Sequence, residues 1–279
     1  VMKKYLFLFL IFLATPAFAG FESVIQYYNA AGGGAPPTYP PPAGDWKLEN
    51  GALAVDASGN SNTLTVEAVT NITTIRIEGT GAGLFDTTDE QLFRSDADLS
   101  VGFWGKSSGG SLTGTACSAF YPGSVADDGP IIAKYGTVDP ERSWRMLVDS
   151  ATTSVEFQIG TNSGGTAQGN IISNADPHLT DIATNHWYAA CVSLATDGKT
   201  YRIRLYDCGT DDQPTGCSHT GTDITGAVPA AMSLTESELA ISNNSDEYVD
   251  FLGVIDRTTV WNEELTTGEM DAWAAELGI

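Results

Sequence analysis

Positive charge is scarce in this chain. Of 279 residues, 13 are Lys or Arg against 35 Asp or Glu, and the formal charge is −22. A surface this acidic repels nucleic-acid phosphates and anionic membranes, so neither is an expected partner. Histidine is scarcer still. His178, His186 and His219 are scattered, and the four cysteines contain no C-x-x-C, so no zinc or dithiol motif can be written from them. No second apolar stretch of 18 residues appears after the N-terminus, and no membrane span is expected. Helical period is absent before residue 265. Paired acids are missing too. Retaining glycoside cleavage needs two carboxylates about 5 Å apart, yet Glu156 stands alone on its strand with Gln158 as its next same-face neighbour. No G-x-S-x-G elbow exists for a serine hydrolase.

What remains is the composition of an all-β protein with many turns. Thirty glycines and abundant Ser, Thr, Asn and Asp separate short β-branched and aromatic runs. Lys3-Lys4, the apolar core Tyr5 to Leu13 and Ala17-Phe18-Ala19 predict a secretory signal peptide over residues 1–19, of bacterial length. The expected location is secreted, periplasmic or cell-surface. Residues 20–43 read as an apolar segment, Phe21 to Tyr28, and a Pro/Gly linker. One domain is expected over 44–279. In an oxidising compartment the cysteines pair: Cys208 and Cys217 bracket a polar loop and form a local bridge, leaving Cys117 with Cys191.

Strands are expected at Trp46–Glu49, Leu64–Val66, Thr74–Ile77, Leu99–Lys106, Ile131–Tyr135, Trp144–Val148, Val155–Ile159, Trp187–Leu194, Tyr201–Tyr206 and Leu239–Ile241. Asp197-Gly198-Lys199 marks a hairpin. Residues 107–130 read as a Gly/Ser loop. A closing strand runs through Phe251 to Trp261. Thr266-x-x-Glu269 then caps a terminal helix with Met270, Trp273, Ala274 and Leu277 on one face. The fold class is all-β: a two-sheet antiparallel β-sandwich with a short C-terminal helix.

In order along the chain, Trp46-Lys47-Leu48, Asp56-x-Ser58-Gly59-Asn60, Phe103-Trp104-x-Lys106, Ile132-Ala133-Lys134, His186-Trp187-Tyr188, Arg204-Leu205-Tyr206-Asp207 and Phe251-x-Gly253-x-Ile255-Asp256 resemble the LamG-like jelly roll of the concanavalin A-like lectin/glucanase superfamily. Arg257 stands where such domains usually have an acid, and Cys208 precedes their usual Gly. The resemblance implies a calcium ion in many members. Here its ligands would be Asp56 and Asn60, in a turn rich in oxygens, with Asp256 brought near by adjacent first and last strands. The alternative is that Asp56 and Asn60 bond their own turn and Asp256 pairs with Arg257 or caps a backbone group. The E-x-D-x-x-E of the superfamily's glucanases is absent.

A polar set completes the candidates. Arg145, Glu156, Gln158, Arg202, Arg204 and Tyr206 point away from the apolar rows of their strands. If those strands are neighbours, the six make one charged face, either a ligand floor or a solvated surface of ion pairs. The expected function is non-catalytic binding of an extracellular glycan or surface partner, with calcium, which the resemblance implies, as a candidate cofactor. The alternatives are an adhesive or structural subunit using Phe21 to Tyr28, and a glycoside hydrolase whose site follows no known motif.

Overall fold

The small residues Gly114-Thr-Ala-Cys-Ser-Ala-Phe-Tyr-Pro122 form a strand of which all nine positions are buried. They show no alternation because both faces are covered, which is why the stretch reads as a loop from sequence alone. In the computed structural model the described residues are 38–87, 89–136, 142–163, 166–172, 182–243 and 250–278. The expected signal peptide and the Phe21 to Tyr28 segment lie outside them.

In chain order the strands are β1 (Gly44–Trp46), β2 (Thr65–Glu67), β3 (Thr70–Ile72), β4 (Ala82–Phe85), β5 (Gln91–Arg94), β6 (Gly102–Trp104), β7 (Gly110–Ser111) and β8 (Gly114–Pro122). They continue as β9 (Gly129–Tyr135), β10 (Arg142–Asp149), β11 (Ser154–Ser163), β12 (Thr166–Ile172) and β13 (Trp187–Leu194). Last come β14 (Thr200–Gly209), β15 (Ser218–Ala227), β16 (Leu239–Ile241) and β17 (Gly253–Trp261), then helix α1 (Thr267–Ala275). One antiparallel sheet runs β15-β14-β13-β8-β17-β4-β3, with β1 also on β17; the other runs β12-β11-β10-β9-β16-β5-β2.

The two sheets enclose a core that includes Trp46, Phe85, Trp104, Phe120, Trp144 and Phe157. Trp104 stacks on Trp144 at 4.2 Å. A second apolar cluster covers the outer face of the eight-stranded sheet. It joins Trp187, Tyr206 and Trp261 to Met270, Trp273, Ala274 and Leu277 of the helix region. Alternation would put Trp187 inward; it is buried, but under this outer layer. All six tryptophans are fully buried. Each withdraws on the order of 200 Å² from water, worth several kcal/mol, so none is left as an exposed stacking surface for a sugar. The helix start is as expected: Thr266 and Glu269 make a reciprocal capping box.

Several expected elements differ. Leu99–Lys106 is not one strand. Gly102 and Gly105 take φ of 84° and 79° and break it to three residues. Thr74–Ile77 forms no strand; its backbone is used otherwise, as shown below. The polar stretch after Cys217, for which no strand is expected, is an edge strand, β15. Residues 39–43, placed in the linker, pack on the domain: Tyr39 meets Trp261 edge-on at 5.6 Å, and the Trp261 indole N–H donates to Pro40 O at 2.8 Å.

Two lysines act as internal cations. Lys106 Nζ donates to the carbonyls of Asp96 and Leu99 at 2.7 and 2.6 Å. Lys134, fully buried, donates to Thr235 O and Ser237 O and pairs with Asp96 at 2.7 Å. They fix irregular segments whose carbonyls have no strand partner.

Both expected disulfides form. Cys117–Cys191 joins directly opposed residues of β8 and β13, and Cys208–Cys217 closes the β14–β15 loop. The first spans 74 residues and the second 9. Loop entropy then predicts that the Cys117→Ala/Cys191→Ala pair lowers stability by about 2 kcal/mol more than Cys208→Ala/Cys217→Ala. Urea unfolding of the two double variants measures this; equal losses would show that the cross-strand bridge adds no constraint of its own.

Candidate functional site

The turn after β1 satisfies itself. Asp56 Oδ1 accepts the N–H groups of Asp45 and Ser58, and Oδ2 accepts that of Asn62 at 2.7 Å. The Asn60 amide donates to Pro42 O at 2.9 Å. Asp256 is committed elsewhere. Its Oδ2 accepts the N–H groups of Ile77 and Glu78. No three acidic, His or Cys side chains converge as metal ligands among the described residues. A hard cation needs six to eight oxygens turned toward it, whereas the Asp56 oxygens and Asp256 Oδ2 face N–H donors. Asp56, Asn60 and Asp256 as arranged do not fit a calcium ion.

Asp256 is also not the partner of Arg257. A β-bulge makes Asp256 the extra residue of β17: Ile255 pairs with Phe120 and Arg257 with the adjacent Ala119. Both side chains therefore emerge on the outer face. Arg257 forks onto Asp45 at 3.0 and 3.2 Å, reaches Glu276 at 2.9 Å and Glu78 at 3.5 Å, and lies over the Trp273 ring. Burial raises the carboxyls of Asp256 and Glu78 above the usual range, and each leaves one buried oxygen unpartnered.

The six-residue polar face is split. Arg145, Glu156 and Gln158 stand on β10 and β11 of the seven-stranded sheet, while Arg202, Arg204 and Tyr206 stand on β14 of the other. Strand neighbourhood, which alternation cannot supply, separates them. On β14, Arg204 donates to Asp271 at 2.9 and 3.0 Å and pairs with Asp223. The Tyr206 hydroxyl donates to Asp271 at 3.0 Å. Arg202 lies 3.7 Å from Asp223. Arg204 and Tyr206 clamp α1 to the sheet, and their polar groups are used in doing so.

The other half is a directed chain. Arg145 and Gln158 are opposed across β10–β11, and Arg145 Nε donates to Gln158 Oε1 at 2.7 Å. A guanidinium only donates, so the Gln158 amide must turn its NH2 onward, and it donates to Glu156 Oε2 at 3.0 Å. Glu156 in turn shares a hydrogen bond with Asp149. Burial, then that bond, pushes the Glu156 carboxyl up to about 7. Burial alone would raise Asp149 too, but the bonds from Glu156 and from the Ala151 N–H at 2.7 Å outweigh it and hold Asp149 low. Of the two carboxyls, Glu156 is therefore the one that keeps its proton as pH rises toward about 7. At the other end Arg145 lies over the Tyr135 ring at 4.5 Å. Glu156 and Gln158 are 2% and 5% exposed, while Arg145 and Asp149 are half-buried. The middle of the chain is support; its ends reach solvent.

Sequence reading missed Asp149, although the signal was present. Arg145, Leu147 and Asp149 share a face at period two on β10. Tyr135 was read only as a strand end. No aromatic is among the large exposed apolar side chains of the described residues.

No family model matches the chain, and no curated protein matches it. Solved structures do. The binding domain of botulinum neurotoxin serotype D aligns at TM-score 0.52 and 12% identity, over 84% of this chain and 50% of that one. Domain 4 of AbnA, a GH43 extracellular arabinanase from Geobacillus stearothermophilus solved with arabinotriose, aligns at 0.50 and 14%, over 84% and 98%. The serotype G toxin binding domain aligns at 0.51 and 11%, over 83% and 50%. This chain spans about half of the toxin domains and nearly all of the arabinanase domain. At these identities the likeness is one of fold: a β-sandwich shared with binding domains.

Glu156 makes a pH prediction. A carboxyl raised in the folded state stabilises it fully below the unfolded pKa, near 4.5, and that stabilisation is lost as pH rises to about 7. Wild type minus Glu156→Gln, measured by urea unfolding, should therefore fall by up to about 3 kcal/mol between pH 4 and 8. A difference independent of pH would show that Glu156 does not hold the proton.

Proposed function

We propose that this chain is an exported, non-catalytic glycan-binding module whose ligand lies across the ends of the Arg145–Gln158–Glu156–Asp149 chain. The carrying observation is the orientation of that chain. It sets a half-buried guanidinium at Arg145 and, at Asp149, a half-buried carboxylate held in place by Glu156, the Ala151 N–H and the Thr152 hydroxyl. Saccharide hydroxyls both donate and accept, so a rigid surface with one of each discriminates them without reorganisation. With every tryptophan buried, recognition here rests on hydrogen bonds rather than ring stacking. The fold likeness to an arabinanase domain that holds arabinotriose supports the ligand class. Two disulfides support the oxidising location.

The same geometry argues against hydrolysis. Asp149 and Glu156 touch and share a proton, whereas a retaining pair stands about 5 Å apart and an inverting pair further. The adhesive alternative rests on Phe21 to Tyr28, outside the described residues, and no observation favours it.

A glycan array followed by titration tests the proposal. Arg145→Lys keeps the charge and loses the guanidinium fork. It should weaken the best array ligand about tenfold with little change in melting temperature. Unchanged affinity, or an array without hits, would overturn the assignment.

A further inference from the structure

Two carboxylates hold the turn between β10 and β11, residues 150–153. Asp128, just before β9, accepts the Ser150 N–H at 3.0 Å and the Ser150 hydroxyl at 2.9 Å. Asp149 accepts the Ala151 N–H at 2.7 Å and the Thr152 hydroxyl at 3.1 Å. The turn needs such support. Thr153 takes a φ of 49°, a left-handed conformation that a β-branched residue keeps only where its surroundings over-determine it. The Thr153 carbonyl accepts the Ile182 N–H at 2.8 Å, so the turn also holds the chain that leads into β13.

A third carboxyl decides whether Asp149 stays in place. Glu156 stands on β11, is 2% exposed, and shares a hydrogen bond with Asp149. Two ionised carboxylates only accept, so this contact exists only while one of the two carries a proton. Burial, then the bond itself, pushes the Glu156 carboxyl up to about 7, whereas the bonds to Asp149 hold that carboxyl low against its own burial. Among the described residues, the groups that face Glu156 are Asp149 from β10, Asp128 from the start of β9 and Gln158 from its own strand. Arg145 connects to it through Gln158.

Loss of the proton turns the bond into a contact between two negative charges, with a third, Asp128, near them. Glu156 is walled in and bonded to Gln158, while Asp149 is half-buried at the end of its strand. Asp149 is therefore the group that moves, and its bonds to Ala151 and Thr152 go with it.

We infer that the β10–β11 turn is a proton-operated latch, closed while Glu156 donates to Asp149 and released, together with the Ile182 contact, when Glu156 ionises. The latch does not depend on the glycan reading and is observed without a ligand, so the two fail separately.

Proton–nitrogen NMR of the full chain between about pH 5.5 and 8.5 tests it. The Ala151 and Ile182 amide signals should titrate together with a midpoint of about 7. Their exchange protection, corrected for the intrinsic pH dependence of exchange, should be at least about tenfold lower at the upper end of the range. In Glu156→Gln the side-chain amide donates to Asp149 at every pH, and neither change should occur. Asp149→Asn removes the repelling charge and should bring the midpoint below about 6, which keeps the test decisive if the Glu156 variant fails to fold. Signals that do not titrate, or a midpoint near 7 that survives either substitution, as a neighbouring histidine would give, would overturn the inference.

Discussion

Arg257 ties three separate segments of the outer layer, at Asp45, Glu78 and Glu276, to one strand of the sheet, alongside the Arg204 clamp on α1. The bulge at Asp256 turns two consecutive side chains to the same face of β17. One is an acid that grips the 76–79 loop, and the other a base that grips the start of β1 and the end of α1. Breaking a buried pair of this kind costs about 3–5 kcal/mol, far more than an exposed bridge. Tyr39 reinforces the same contact by donating to Glu276 at 2.7 Å. With only 11 basic residues after the expected signal peptide, a cation buried this completely is a substantial commitment for an acidic chain. Lys106, Lys134 and Arg204 are committed in the same way, each to an irregular segment or to the helix.

The fold was legible wherever one sheet face is apolar and the other polar. β10, β11 and β14 alternate cleanly, and the Asp197-Gly198 turn fixes the hairpin between β13 and β14. Reading failed where that contrast vanishes. β8 is buried on both faces and built from small residues, and β15 is an edge strand with little apolar content. Gly102 and Gly105 break an apolar run that looks continuous. The candidate residues were legible one strand at a time. Period two places Arg145 with Leu147 and Asp149, and Glu156 with Gln158. It cannot say that β14 belongs to the opposite sheet, or that Asp256 meets a loop 178 residues earlier in the chain.

Function follows from how polar groups are used. On the eight-stranded sheet they are consumed in holding α1 and the terminal segments. On β10 and β11 they form a chain with a buried middle and half-buried ends, Arg145 and Asp149. The 76–79 loop and the chain after α1 depend on the Arg257 cluster, which anchors both through Glu78 and Glu276.

Native-state hydrogen exchange on Arg257→Met tests this dependence most directly. Methionine keeps much of the volume and removes the charge. Amides of α1 and those of Ile77 and Glu78 should lose protection together, while β8 and β13 keep theirs. Wild-type protection in α1, or loss confined to the residues flanking position 257, would contradict the account.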